Sequence, residues 1–154
     1  LCAMENTTKI RHQITHMLSR REHSQKECVD KLLQKGFAED EIWNVLSQFV
    51  AKDLQSDARF VYHFIRHSMQ KGQGWFRIKQ GIKAHHIEPS LVDEALSELE
   101  PDWFELAYQV KVKRFGEAIA QDTKAQQKQM RFLQYRGFSM EEIQHATQYI
   151  HSGL

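Results

Sequence analysis

The chain has little of what several protein classes require. It holds two cysteines, Cys2 and Cys28, in 154 residues. Two cannot build a disulfide framework or a cysteine zinc site, and a reducing, cytoplasmic setting is the expectation. Cys28 falls on an amphipathic segment and reads as a small apolar residue. No run approaches 18 apolar residues, so no segment reads as a membrane-spanning helix. The opening LCAMENTTKI lacks the apolar stretch of a secretory signal, and a start at Leu1 leaves room for residues upstream. Only Pro89 and Pro101 occur as prolines, both near predicted helix starts. No Walker loop, nucleophile elbow or kinase signature is present. The GQG at 72–74 follows no strand and is a weak match to a dinucleotide fingerprint. His12 and His16, and His63 and His67, have the i, i+4 spacing of a helical metal pair. HQITH and HFIRH lack the zincin glutamate, however, and no third ligand accompanies them. No enzyme, metal or cofactor is expected.

What is there is helical. Hydrophobic residues make up 41% and aromatics 10%, enough for a core and too much for disorder. The apolar spacing follows a helical period nearly throughout, with Ile42, Val45, Leu46 and Phe49 as one i, i+3, i+4, i+7 stripe. Three windows of 26 residues, starting at Ser24, Gly74 and Ala125, align without gaps at offsets of 50 and 51. Leu32 matches Ile82 and Leu133, Phe37 matches Ile87 and Phe138, and Phe49 matches Leu99 and Ile150. Gly36 and Gly137 hold the place where a left-handed residue ends a helix. His86 fills it in the middle copy. Ser24–Glu27 and Ser139–Glu142 read as capping boxes, and Pro89 suits a first helical position. One more helix precedes each window, at about 9–20, 56–70 and 102–115 on the same spacing. The expectation is an all-α, elongated array of three tandem three-helix repeats: 9–54, 55–100 and 101–154, after a flexible segment 1–8.

Net charge is only +1, but the charge is patterned. From Arg59 to Ile87 there are six Lys and Arg and no acid; from Glu88 to Glu105 there are seven acids and no Lys or Arg. In each repeat the first two helices tend to be basic and the third acidic. Lys124, Lys128, Arg131 and Tyr135 fall within about 60° on a helical wheel, as do Phe76, Lys79 and Lys83. Trp75, Ile78 and Ile82 share a different arc and are expected to face the core. Arg59, His63 and Arg66 share a face opposite Phe64 and Ser68. The candidate contacts are Arg59, Arg66, Lys71, Phe76, Arg77, Lys79, Lys83, Lys111, Lys113, Arg114, Lys124, Lys128, Arg131 and Tyr135. Such faces suit phosphates or an acidic protein surface, cations supplying charge and rings a stacking plane.

Four stretches carry a family resemblance: RREHSQKECVDKLLQKGF (20–37), SDARFVYHFIRHSMQKGQGWFRIKQGI (56–82), KRFG (113–116) and MRFLQYRGFSMEEI (130–143). Together they resemble the RecX family, bacterial regulators of the RecA recombinase. Family members usually place proline just after the second glycine of the Gly-x-Gly turn; here Trp75 stands there. The resemblance implies a non-enzymatic modulator that lies in the groove of the RecA–single-stranded DNA filament, and a monomer is expected. It would block filament extension and lower ATPase, strand-exchange and coprotease activity, and so modulate DNA repair and the SOS response. RecA would be the main partner and single-stranded DNA a weak or indirect one. The competing reading is a sequence-independent nucleic-acid binder, for which a net charge of +1 is low.

Overall fold

A computed structural model describes the backbone of residues 2–148 and the side chains of residues 4–148. Nine α-helices and no strand occur among the described residues. They are α1 (Cys2–Arg20), α2 (Gln25–Gln34), α3 (Glu39–Ala51), α4 (Asp57–Gln70), α5 (Trp75–Lys83), α6 (Pro89–Leu99), α7 (Trp103–Phe115), α8 (Thr123–Tyr135) and α9 (Met140–Gln148). The three-helix repeat is thus present three times. Helix α1 begins at Cys2, within the segment expected to be a flexible lead. Glu5 lies in its first turn and pairs with Lys9 at 3.5 Å, which suits a helix start. Ile150, the expected counterpart of Phe49 and Leu99, lies outside the described residues.

The helix ends explain why the repeat is legible. Gly36 and Gly137 have φ of +91° and +100°, and His86 takes φ +50° at the equivalent place. After α2, the Gly36 N–H donates to Leu33 and the Phe37 N–H to Leu32. After α8, Gly137 donates to Gln134 and Phe138 to Leu133. Both are Schellman motifs, which satisfy carbonyls the helix leaves open. Both serine boxes close: Ser24 with Glu27, and Ser139 with Glu142 at 2.9 and 3.2 Å.

The chain divides into two compact units. Unit 1 takes the residues up to 64 together with 82–98; unit 2 takes 65–81 together with 99 onward. Unit 1 holds the mutually packed helices α1, α2 and α3. Their core is Ile10, Ile14, Met17, Cys28, Val29, Leu32, Ile42, Val45, Leu46 and Phe49. Cys28 is buried there, and desolvation pushes its thiol up to about 12, so it serves as an inert apolar residue. In unit 2, α7, α8 and α9 pack on one another. Their core is Ala107, Val110, Leu133, Phe138, Ile143 and Ala146.

Within unit 1, a polar junction joins the first repeat to the second. The Gln25 N–H donates to Asp57 at 2.9 Å, and Gln55 Nε2 donates to the His23 carbonyl at 3.0 Å. Arg59 donates to Glu22 at 2.9 Å and pairs with Asp53 at 3.0 Å. His85 packs against Phe60 with tilted rings whose centroids lie 4.5 Å apart, and its Nδ1 lies 2.8 Å from the buried Ser24 hydroxyl.

Candidate interaction face

In unit 2 the start of α5 docks on the end of α8 through backbone. The Gly74 N–H donates to the Arg136 carbonyl at 2.8 Å, and the Phe76 N–H to the Gly137 carbonyl at 3.1 Å. Open donors at one helix start thus satisfy open acceptors at another helix end, and the opposed macrodipole ends attract. The approach requires glycine on both sides. A Cβ on Gly74 would lie 2.5 Å from the carbonyl carbon of Gly137, and one on Gly137 2.6 Å from the Arg77 backbone nitrogen. Arg136 adds a cross-tie: its guanidinium donates to the Lys71 carbonyl at 3.1 Å, past the end of α4, and lies 4.9 Å from the Phe132 ring centre.

This docking brings together residues that the sequence placed on separate helices. The Arg77 guanidinium lies 5.0 Å from the centre of the Tyr135 ring, a cation–π contact. Tyr135 remains 74% exposed and Phe76 60% exposed. Lys79 is exposed on α5, and Lys124, Lys128 and Arg131 are exposed along α8, away from buried Gln129 and Leu133. The spacing Lys128, Arg131, Tyr135 keeps all three on one side of α8. Lys113 and Arg114 are exposed near the end of α7, Arg114 lying 5.7 Å from the Phe132 ring centre. Trp75 is half-buried, with its ring 5.9 Å from that of Trp103, while Ile78 and Ile82 are buried, as their arc implies.

Two expected contacts do not belong to such a face. Lys111 is corrected: it is only 1% exposed, and its Nζ donates to the Ala118 carbonyl at 2.9 Å. Burial lowers its pKa from the ordinary lysine range, opposed by nearby Glu117. Its place on α7, four residues beyond buried Ala107 and one beyond Val110, turns it inward to pin the loop before α8. Arg59 is engaged by Glu22 and Asp53, and the bond to Glu22 is the main cause that raises its pKa. Arg66, Lys71 and Lys83 are exposed. The ion pairs of Lys9, Arg21, Lys26, Arg59 and His85 all lie in unit 1, and Arg59 is the one candidate cation among these five.

No group of three or more His, Cys, Asp or Glu able to hold a metal occurs among the described residues. Ser24, His85 and Glu27 meet in unit 1, but the hydroxyl and the carboxylate both approach the same ring nitrogen, at 2.8 and 3.8 Å. A catalytic triad needs the two nitrogens used separately.

The arrangement of repeats matches known families domain by domain. Family models for the first, second and third three-helix domains of RecX match residues 12–49, 56–96 and 100–147. A regulatory protein RecX of Acinetobacter baylyi is 37% identical over 139 residues, 90% of this chain and 86% of that protein. The chain belongs to the RecX family. A regulatory protein RecX of Vibrio vulnificus is 40% identical over 130 residues, 84% of this chain and 85% of the relative. The crystal structure of RecX from Lactobacillus salivarius superposes with a TM-score of 0.76, covering 94% of this chain and 96% of that one at 22% identity. RecX relatives are named as regulatory proteins rather than as enzymes. In RecX terms, Phe76, Arg77 and Lys79 belong to the second domain, and Lys124, Lys128, Arg131 and Tyr135 to the third.

Sequence reading missed Arg136, Gly74 as a contact residue and His85. For Arg136 and Gly137 a signal existed, since the Arg-Gly pair closes α8 before Phe138. For Gly74 and His85 it did not, because their partners lie 63 and 61 residues away.

Proposed function

We propose that this RecX protein is a negative regulator of RecA. In this reading it binds the RecA–single-stranded DNA filament in its groove and blocks extension. ATPase, strand-exchange and coprotease activity fall as a result, and DNA repair and the SOS response are modulated. The observation that carries the reading is the ordered match of three RecX domains along residues 12–147. The exposed cations of unit 2 support it, because they hold charge available to an acidic or phosphate-bearing partner. Three domains at 9–54, 55–100 and 101–154 in a cytoplasmic monomer complete the proposal. No helix among the described residues is long and apolar enough to cross a membrane.

The test is RecA ATPase on single-stranded DNA with substoichiometric protein. Inhibition is expected, and its absence at every ratio would overturn the reading. Lys128→Glu with Arg131→Glu is expected to raise the concentration needed at least about tenfold, the effect of like charge at a steered contact. Unchanged inhibition by the folded double variant would take these two residues out of the contact. The alternative, a general nucleic-acid binder, would bind single strands tightly without RecA and with a steep salt dependence.

A further inference from the structure

The face on α5 and α8 has a composition that charge alone does not account for. Each helix sets one exposed ring among cations: Phe76 beside Arg77 and Lys79, and Tyr135 one and two turns beyond Arg131 and Lys128. The backbone bond from Phe76 to Gly137 brings the start of α5 next to the residue two places past Tyr135. Arg77 lies over the Tyr135 ring and leaves the residue 74% exposed. A phenol ring with a guanidinium over one face is a prepared half-stack. Its remaining surface is suited to a second planar group.

We propose that Tyr135, backed by Arg77, is a stacking platform for an unpaired nucleobase. Phe76 offers a neighbouring ring, and Lys128, Arg131 and Lys79 take the flanking phosphates. One observation favours a single strand over an acidic protein surface. Rings also anchor protein interfaces, so the deciding feature is their spacing among cations rather than the rings themselves. Alternation of single rings with unpaired cations is the pattern that tracks a strand, base on ring and phosphate on cation. Duplex bases are already stacked and offer no free face. The inference deepens the proposed function, because the filament's own DNA would supply the bases. It also makes that contact direct rather than indirect.

The experiment is fluorescence anisotropy without RecA, on labelled oligo-dT and on an abasic strand with the same phosphates, across salt. The proteins are wild type, Tyr135→Phe, Tyr135→Ala, and Lys128→Gln with Arg131→Gln. Tyr135→Ala is expected to weaken oligo-dT binding by about 5- to 150-fold and to leave the abasic strand unchanged. Tyr135→Phe keeps the ring and should stay within about twofold of wild type. The charge variant should weaken both strands and lower the salt slope by about 0.7 for each phosphate it no longer neutralises. The proposal is overturned if Tyr135→Ala binds oligo-dT like wild type, if both strands bind equally, or if neither binds. RecA ATPase, run in parallel, separates the two readings. No strand binding with intact inhibition would make an acidic protein surface the partner and leave the RecA role standing. A Tyr135-dependent preference for oligo-dT without RecA inhibition would do the reverse.

Discussion

Arg59 in unit 1 and Arg77 in unit 2 both sit in the first turns of second-repeat helices, and they meet opposite partners. Arg59 faces two carboxylates, Glu22 and Asp53. Arg77 faces the ring of Tyr135, as Arg136 faces Phe132 and Arg114 faces Phe115 and Phe132. A carboxylate cancels the arginine's charge; a ring orients the guanidinium and leaves the charge in place. The same basic sequence pattern therefore produces an internally compensated junction in unit 1 and an uncompensated face in unit 2. Counting cations along the chain does not distinguish them. The partner type does.

The difference between the units extends to the backbone at their helix ends. Gly36 and Gly137 hold the same repeat position, both with positive φ. Nothing lies within 4 Å of a Cβ placed on Gly36, whereas Gly74 and Gly137 press on each other and on Arg77. Gly74→Ala is expected to cost about 3 kcal/mol, through overpacking and loss of the docking bonds. Gly36→Ala should cost about 1 kcal/mol, the left-handed strain alone. Urea midpoints measure both. Equal costs would mean that the α5–α8 docking contributes no more than a turn.

The two serine boxes give the next contrast. Ser139 only caps α9, while Ser24 caps α2 and also meets His85 of the second repeat. Ser139→Ala should cost about 1 kcal/mol and Ser24→Ala about 2 kcal/mol. A double-mutant cycle of Ser24→Ala with His85→Asn should show coupling, and purely additive costs would remove the proposed link between the repeats.

These pairs also mark what sequence could reveal. Serine boxes, the glycine at helix ends, His86 as a glycine substitute and the three-fold spacing are local signals, each written within a few residues. The exposed stripe of α8 followed from helical period alone. Contacts that give the stripe its neighbours did not, because Arg77 on Tyr135 and Gly74 on Gly137 depend on how separate helices dock. Lys111 shows the converse. Its charge suggested a surface, but the neighbouring core positions of α7 and the Ala118 carbonyl determined its place. The start of α1 was not legible because the polar run 5–8 carries no apolar period, although Glu5 and Lys9 pair across one turn there.

Acid should act on unit 1. Burial, the largest cause in each case, holds His23 and His85 below the ordinary histidine range. The Arg21 carbonyl that His23 bonds opposes this at His23, as do Glu27 at both rings and Asp57 at His85, while the Arg21 charge pushes both further down and Lys31 acts likewise on His23. The unfolded chain therefore takes up protons first as pH falls through about 6.5. Stability is full above that value and declines below it, until the folded histidines also protonate. His85→Asn should flatten part of the decline between about pH 7 and 5. A variant with the wild-type slope would show that His85 does not stay neutral in the fold.

The smallest expected effects test the comparison most directly. Arg59→Gln removes two partly exposed ion pairs and should lower stability by at most about 1 kcal/mol, less at high salt. Lys128→Gln with Arg131→Gln removes cations with no acid partner among the described residues and should change stability by less than about 0.5 kcal/mol. Inhibition of RecA should reverse that order, with the α8 variant impaired and Arg59→Gln near wild type. Charge that is already paired in the fold contributes to the fold, and charge left unpaired remains available to a partner. If Arg59→Gln impaired inhibition as much as the α8 variant at unchanged stability, the compensated junction would itself be part of the contact. The division between a structural and a binding set of cations would then fail.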